Sequence, residues 1–501
     1  MTLPADRTED PSIEDPHVLT AVVEDEKPRP VTRRSPWGAL ILRLHFYAGV
    51  FIAPFLAVAA LTGLAYVFSP QLDSIVYRDE LHVDPQGRTA LPVAQQIAAA
   101  RAAHPEGDVA QVIPGSTAED TTQVTLNVPE LTDDRQRTVY VDPYTAEVRG
   151  ELTTWAGYTP VRTWLDDTHR NLQLGDWGRW YSETAASWLW VVVLGGLFLW
   201  WQQLRRRTRD SRGFLRRALT PDLAARTGVR RTRSWHAALG VWLAVGLLFL
   251  SATGLTWSRW AGGNFGEVLT ALNSNSPEVS TSLEASGSTA ATGHEGHGMS
   301  EAPAPVSDEA QSLDRVDEVI AAANGAGLND AVRLTPPAAE GEGWLVVEKD
   351  RSIPVHFDKA VVDPSTSEVV SVSRFADWPF LAQVTSIGIA AHMGLLFGLA
   401  NQLLLAGLAV GLLCVIVWGY RMWWQRRPTG KRFALGSAPK PGAWRAVPPV
   451  QLLFAAAIAA AVGWFMPVLG VTLIAFLVVD AAVGLARNQR KGAGTVSSAS
   501  R

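Results

Sequence analysis

Residues 45–64 read "HFYAGVFIAPFLAVAALTGL" and residues 236–255 read "HAALGVWLAVGLLFLSATGL". In each, one histidine heads an apolar run long enough to cross a hydrocarbon core of about 30 Å. The histidine, the glycine four residues on (Gly49, Gly240) and a Thr-Gly-Leu triplet fall at the same offsets in both. An isolated histidine in such a run reads as a packing or interfacial residue. A histidine that recurs with its surroundings points to a duplicated unit and a shared role.

A second pair of stretches extends the repeat. "HRNLQLGDWGRWYSETAASWLWVVVLGGLFLWWQ" from His169 and "HMGLLFGLANQLLLAGLAVGLLCVIVWGYRMWWQ" from His392 align without a gap. Gly175 answers Gly398, Gly196 answers Gly419, and the Trp-Trp-Gln triplets coincide. The order is span, polar domain, span, written twice, with a hairpin appended. Such a duplication packs about a pseudo-twofold axis along the membrane normal, so that equivalent residues face one another. His45 is thereby related to His236 and His169 to His392.

The bulk composition suits a mixed membrane and soluble chain: 501 residues, 18% charged, with a mean hydropathy just above zero. A net charge of -4 gives no nucleic-acid surface. The single cysteine, Cys414, allows no disulfide, no CxxC redox pair, no thiolate zinc site and no covalent haem attachment. There is no Walker loop, no GxGxxG after a strand, no GxSxG and no HExxH, so the chain carries no recognisable nicotinamide or flavin domain.

Spanning-length apolar segments lie at roughly 39–68, 184–204, 236–258 and 399–424, with a pair at 449–465 and 468–486 divided by Pro467. Six spans are therefore expected. Arginine-rich loops after the second and fourth spans, and Arg33 and Arg34 before the first, place those loops and both termini in the cytoplasm. The loop after the second span is also suited to anionic lipid. The polar segments would then be extracytoplasmic, each with an amphipathic helix, short strands and an Asp-Pro turn at Asp142-Pro143 and Asp363-Pro364. The expected order is a disordered tail (1–35), span 1 (36–69), outer domain 1 (70–168), an interfacial segment with span 2 (169–204) and an Arg-rich loop (205–232). Span 3 (233–258), a linker (259–305), outer domain 2 (306–380), an interfacial segment with span 4 (381–424), a cytoplasmic loop (425–448), spans 5 and 6 (449–486) and a tail (487–501) complete it.

Imidazole is a neutral ligand, and a facing pair can fill both axial positions of a haem iron without adding charge to the membrane. Two pairs, His45 with His236 near the cytoplasmic side and His169 with His392 near the outer side, would bind one or two b-type haems and form an electron path. From His392 to Trp423 a continuous helix would stretch roughly 46 Å, so the outer pair is expected at or beyond the interface, on helices broken by the nearby glycines. A proton relay would recruit carboxylates, and none is matched inside the spans. Gly49, Gly240, Gly63 and Gly254 read as packing positions or as room for a flat macrocycle. His294, His297 and Met299 in "GHEGHGM" suit copper or another soft metal, within a Ser, Ala and Pro-rich linker. His82, His104 and His356 have no matched partners and read as surface or packing residues.

The combination of "RSWHAALG", the "TGL" triplets, "HMGLLFGL" and "VDPSTSEV" resembles the PepSY-associated transmembrane helix family over about residues 33–430. Bacterial iron-regulated membrane proteins and ferrisiderophore reductases belong to that family. The resemblance implies a polytopic α-helical plasma-membrane protein with two small α+β PepSY-like domains outside and b-type haems between the helices. Its implied partners are the lipid bilayer and a ferric chelate or siderophore, with a quinol or a separate cytoplasmic reductase as donor. Carried over by motif, the haem ligands are His45, His236, His169 and His392. "RLH" places Arg43 two residues before His45, where "RSWH" places Arg233 three before His236. The alternative is a non-enzymatic, membrane-anchored binding or regulatory module, with the His-rich segment serving copper handling.

Overall fold

The computed structural model describes residues 35–498 apart from residues 86, 132–134, 208–215, 217–218, 284–311, 330, 350–354, 428–437 and 440–441. His294, His297, Met299 and the tail 1–34 lie outside the described residues.

The first repeat opens with α1 (Pro36–Phe51) and α2 (Ala53–Val67), which meet at a 55° bend. Pro54 sits in the first turn of α2, where it lacks the N–H that would continue the ladder of α1. Short helices α3 (Ser69–Val76) and α4 (Arg78–Leu81) lead to α5 (Val93–Ala103) and the strands β1 (Asp108–Ile113), β2 (Thr122–Asn127), β3 (Arg135–Val141) and β4 (Val148–Trp155). The chain returns through α6 (Pro160–Asn171) and the long α7 (Gly175–Arg207).

The second repeat runs α8 (Gly228–Leu255), α9 (Ala261–Ala271), α10 (Val316–Gly325), β5 (Val332–Thr335), β6 (Trp344–Glu348), β7 (Lys359–Val362) and β8 (Val369–Ser373). It closes with α11 (Phe380–His392) and α12 (Leu399–Gln425), after which α13 (Pro449–Phe465) and α14 (Pro467–Ser498) form the hairpin. Gly175 and Gly398, equivalent in the repeat, both take left-handed φ, 57° and 54°, where the long helices start. A side chain there would be strained, so glycine permits the sharp turn that separates α6 from α7 and α11 from α12.

Length and composition by themselves count four or five spans rather than the six expected. Among the described residues α7, α8, α12 and α14 qualify singly, and the bent α1–α2 pair makes a fifth when taken as one broken span. The expected fifth span, α13, is cut to 17 residues by Pro449 at its start and Met466-Pro467 at its end. That is about 25 Å of helix, at the short end of spanning lengths, and it runs from Gln451, bonded to Trp37 at the start of α1, to Trp464 and Phe465, whose carbonyls accept from Asn264 just past the far end of α8.

The polar segments also differ from two separate small domains. Their strands form one antiparallel sheet of eight, ordered β4-β3-β2-β1-β5-β6-β7-β8, joined where Val112 of β1 pairs with Leu334 of β5. Alternation turns Val112, Val124, Val139, Leu334, Val346 and Ala360 to one face, where Ile97 and Ala100 of α5 and Val316, Val319 and Ala323 of α10 cover them. Asp317 of α10 accepts the first N–H groups of α5, from Val93 (2.8 Å) and Ala94 (3.0 Å), so the two repeats also share a helix cap. The Asp-Pro turns are alike: Asp142 accepts from Tyr144 N–H and Asp363 from Ser365 N–H, both at 2.7 Å. The segment expected as a linker begins with α9, whose first N–H groups, of Trp260 and Ala261, bond the buried Glu183 of α7.

Candidate electron-transfer site between the repeats

His45 and His236 face each other from α1 and α8, with ring centroids 6.4 Å apart and planes at 81°. His45 Nδ1–H donates to the Val192 carbonyl on α7 (3.0 Å) and His236 Nδ1–H to the Val415 carbonyl on α12 (2.9 Å). Val192 and Val415 are equivalent positions in the repeat. Each carbonyl already serves the helix N–H four residues on, at Gly196 and Gly419. Those glycines leave the second lone pair reachable. A Cβ on Gly196 would lie 3.2 Å from His45 Cε1, and one on Gly419 3.8 Å from His236 Cε1.

The second pair is held by side chains. The Thr62 hydroxyl donates to Val58 O and the Thr253 hydroxyl to Phe249 O, both at 2.8 Å. A hydroxyl has one hydrogen, so each oxygen then accepts: Thr62 from His169 Nδ1–H (3.0 Å), Thr253 from His392 Nδ1–H (2.7 Å). The next residue in each triplet, Gly63 or Gly254, lies under the imidazole, where an added Cβ would be 3.2 Å from His169 Cε1 or 3.4 Å from His392 Cε1. His169 and His392 are neighbours. The Val192 and Val415 carbonyls can only accept, which puts the inner rings' protons at Nδ1, and the threonine arrangement assigns the same tautomer to the outer rings, leaving each Nε2 lone pair available as a ligand.

The inner pair passes a test of fit. Imidazole–metal bonds of about 2 Å on each side, plus about 1.1 Å from each nitrogen to its ring centre, give a centroid separation of about 6 Å. The observed 6.4 Å matches this. Gly49 and Gly240 lie one turn beyond these histidines on the same helix faces, and a Cβ at either would meet nothing within 4 Å. That is room for a flat group beside the rings. Among the described residues no cluster of three or more His, Cys, Asp or Glu side chains could enclose an ion by itself. Two-imidazole sites therefore suit a metal whose remaining positions belong to a macrocycle.

The other singled-out residues fall elsewhere. Arg43 is bound to Asp480 of α14 and the Pro439 carbonyl, with its guanidinium 4.9 Å over the Tyr47 ring, so its donors are engaged within the protein. His82 lies near Ser74 (3.3 Å) and Asp120 (3.6 Å), His104 beside Glu106 (3.0 Å) and Glu151, and His356 beside Glu348 (3.7 Å). The histidines' own partners lie on other helices, far away in the chain. The threonines of the matched triplets were a visible signal for one pair, whereas the Val192 and Val415 carbonyls carry no mark in side-chain chemistry.

No curated protein matches the chain. The model of the PepSY-associated TM region matches residues 42–426, which takes in both histidine pairs, both halves of the sheet and the helices α2 to α12 entire. The chain is a membrane protein and belongs to that PepSY-associated family.

Proposed function

We propose that this protein is a haem-b membrane reductase that moves electrons across the plasma membrane to a ferric chelate outside. The observation that carries the reading is the matched set of four histidines, each with its Nδ1 proton bonded and its Nε2 free. When bound, haem b supplies a one-electron carrier at each pair. The residues of the chain supply the rest. His45 and His236 hold the inner position, with Val192 and Val415 fixing their tautomers. His169 and His392 hold the outer position through Thr62 and Thr253, and the packed helices keep water from the route between them.

The electron comes from a quinol or a separate cytoplasmic reductase, which is oxidised. At the outer end it converts Fe(III) to Fe(II) in a siderophore or another chelate. Fe(II) is held more weakly by hard oxygen ligands, so reduction releases the iron. In this reading both termini are cytoplasmic and the sheet is extracytoplasmic.

Proteoliposomes test the route. With a reductant enclosed and a ferric chelate plus an Fe(II)-trapping dye outside, the wild-type protein is expected to develop colour and His45→Ala to develop little. Equal rates with and without His45 would reject the route.

A further inference from the structure

The sheet face opposite α5 and α10 carries a set of charges that the electron route does not use. At the β1–β5 seam Val112 and Leu334 point into the core, so Gln111 and Arg333, one residue earlier on each strand, point to the other face. Both bury a side-chain nitrogen with no hydrogen-bond partner, Gln111 Nε2 and Arg333 Nε. Lys349 joins Arg333 on this face: its N–H donates to Ala331 O (2.7 Å), two residues before Arg333. A third cation, Arg162 of α6, lies 4.1 Å over the Tyr158 ring and 5.6 Å over Tyr66, and its Nε donates to the Tyr66 hydroxyl (3.4 Å).

These cations are close together and short of counter-ions. Desolvation of its ammonium, then Arg333 and Arg162, push Lys349 down to about 8, although the residue as a whole is exposed on this face and so open to a ligand from solution. Asp120 opposes that shift, but it is already engaged by Thr117 N–H (2.9 Å) and His82 (3.6 Å). Asp73, near Arg162, accepts from the Thr159 hydroxyl (2.7 Å). Among the described residues none of the three cations forms an ion pair with a carboxylate. The repeat does not account for them either: Thr385 stands where symmetry would repeat Arg162, and Gln111 and Asn127 stand where it would repeat Arg333 and Lys349. Unpaired cations in a crowded site favour an anion that supplies the missing acceptors.

The cluster is also placed for chemistry. Arg162 and His169 lie seven residues apart on one face of α6, a rise of about 10 Å. On the facing α2, Tyr66 and Thr62 lie one turn apart. The two helices are thus joined by two successive rungs, Tyr66–Arg162 and Thr62–His169.

We propose that Arg162, Arg333 and Lys349 form the acceptor site and select an anionic, carboxylate-bearing ferric chelate over an uncharged one. The proposal rests on the reductase reading for its purpose, but the binding stands by itself. The test uses the intact protein in detergent with ferric citrate as the anionic probe and a neutral ferric trihydroxamate as the control, binding being measured by calorimetry. Arg333→Gln and Lys349→Gln are each expected to weaken ferric citrate about tenfold, the conservative Arg333→Lys and Lys349→Arg to weaken it less, and trihydroxamate binding to stay unchanged. Ferric citrate binding that is absent from the wild type, or equal in wild type and both glutamine variants, would overturn the site. So would inorganic phosphate displacing ferric citrate at equal concentration, which would make the cluster a general phosphate or lipid-headgroup site. The absorption spectrum of the same samples separates the two readings: ferric citrate binding without a haem spectrum rejects the reductase reading and leaves the anion site standing.

Discussion

At the scale of single residues, the ability of each imidazole to act as a ligand depends on which of its nitrogens carries the proton. Thr253 decides this for His392, because its hydroxyl hydrogen is spent on Phe249 O and only its lone pair faces the ring. An accepted Nδ1–H bond raises the basicity of the opposite nitrogen and so stabilises the oxidised metal. Thr253→Val removes the acceptor, so the midpoint potential of one haem is expected to rise while the other is unchanged, as a redox titration followed by absorbance would show. Thr253→Ser should restore the wild-type value. The histidines were legible in the sequence because they recur at fixed offsets. Thr62 and Thr253 were visible only as part of a repeated triplet, since what they bond lies on another helix, 107 and 139 residues away in the chain.

At the scale of elements, three side-chain pairs among the described residues tie the appended hairpin to the first repeat. Arg43 pairs with Asp480 of α14, Trp188 Nε1–H donates to the Thr472 hydroxyl (2.7 Å), and Trp37 Nε1–H donates to Gln451 (2.8 Å). Arg43 is 3% exposed, so Asp480→Leu would leave a buried cation without its partner. The expected cost is about 3–5 kcal/mol, read as a fall in the detergent-solubilised protein's melting temperature. Arg43→Leu combined with Asp480→Leu should recover much of that loss, since the charge is then gone. The helices themselves were legible from hydropathy, and the two breaks before α7 and α12 from the matched glycines. Hydropathy left α13 at the margin, with 17 apolar residues from Pro449 to Phe465, and its placement is seen only in the bonds at its ends, Trp37 to Gln451 and Asn264 to the Trp464 and Phe465 carbonyls. The Arg43–Asp480 pair was hidden because its members are 437 residues apart.

At the scale of the whole molecule, duplication makes a nearly symmetric frame, and a few residues without a counterpart in the other repeat break that symmetry. The two polar segments were legible as copies, yet their fusion into one eight-stranded sheet was not. Edge pairing through Val112 and Leu334 depends on how the halves are brought together, and a strand's alternation does not name its neighbour. The same seam gathers Arg333 and Lys349 toward Arg162, residues that in sequence are only scattered cations. Lys349 is held down to about 8 by its surroundings, Arg333 on β5 and Arg162 on α6, against the opposing charge of Asp120 in the β1–β2 loop. An anion binds the protonated ammonium, so affinity for ferric citrate should be nearly full at about pH 7 and fall as pH rises through about 8. Calorimetry across that window checks the sign, and Lys349→Arg, which stays charged, should flatten the profile.

The most direct measurement of the central claim is the dithionite-reduced minus oxidised absorption spectrum of the purified protein, with haem quantified per chain. A low-spin b-type spectrum is predicted, with His45→Ala and His392→Ala each losing about half of the haem and the double variant nearly all of it. Absence of any dithionite-responsive b-type spectrum, or full haem content in both single variants, would contradict the assignment of the four histidines.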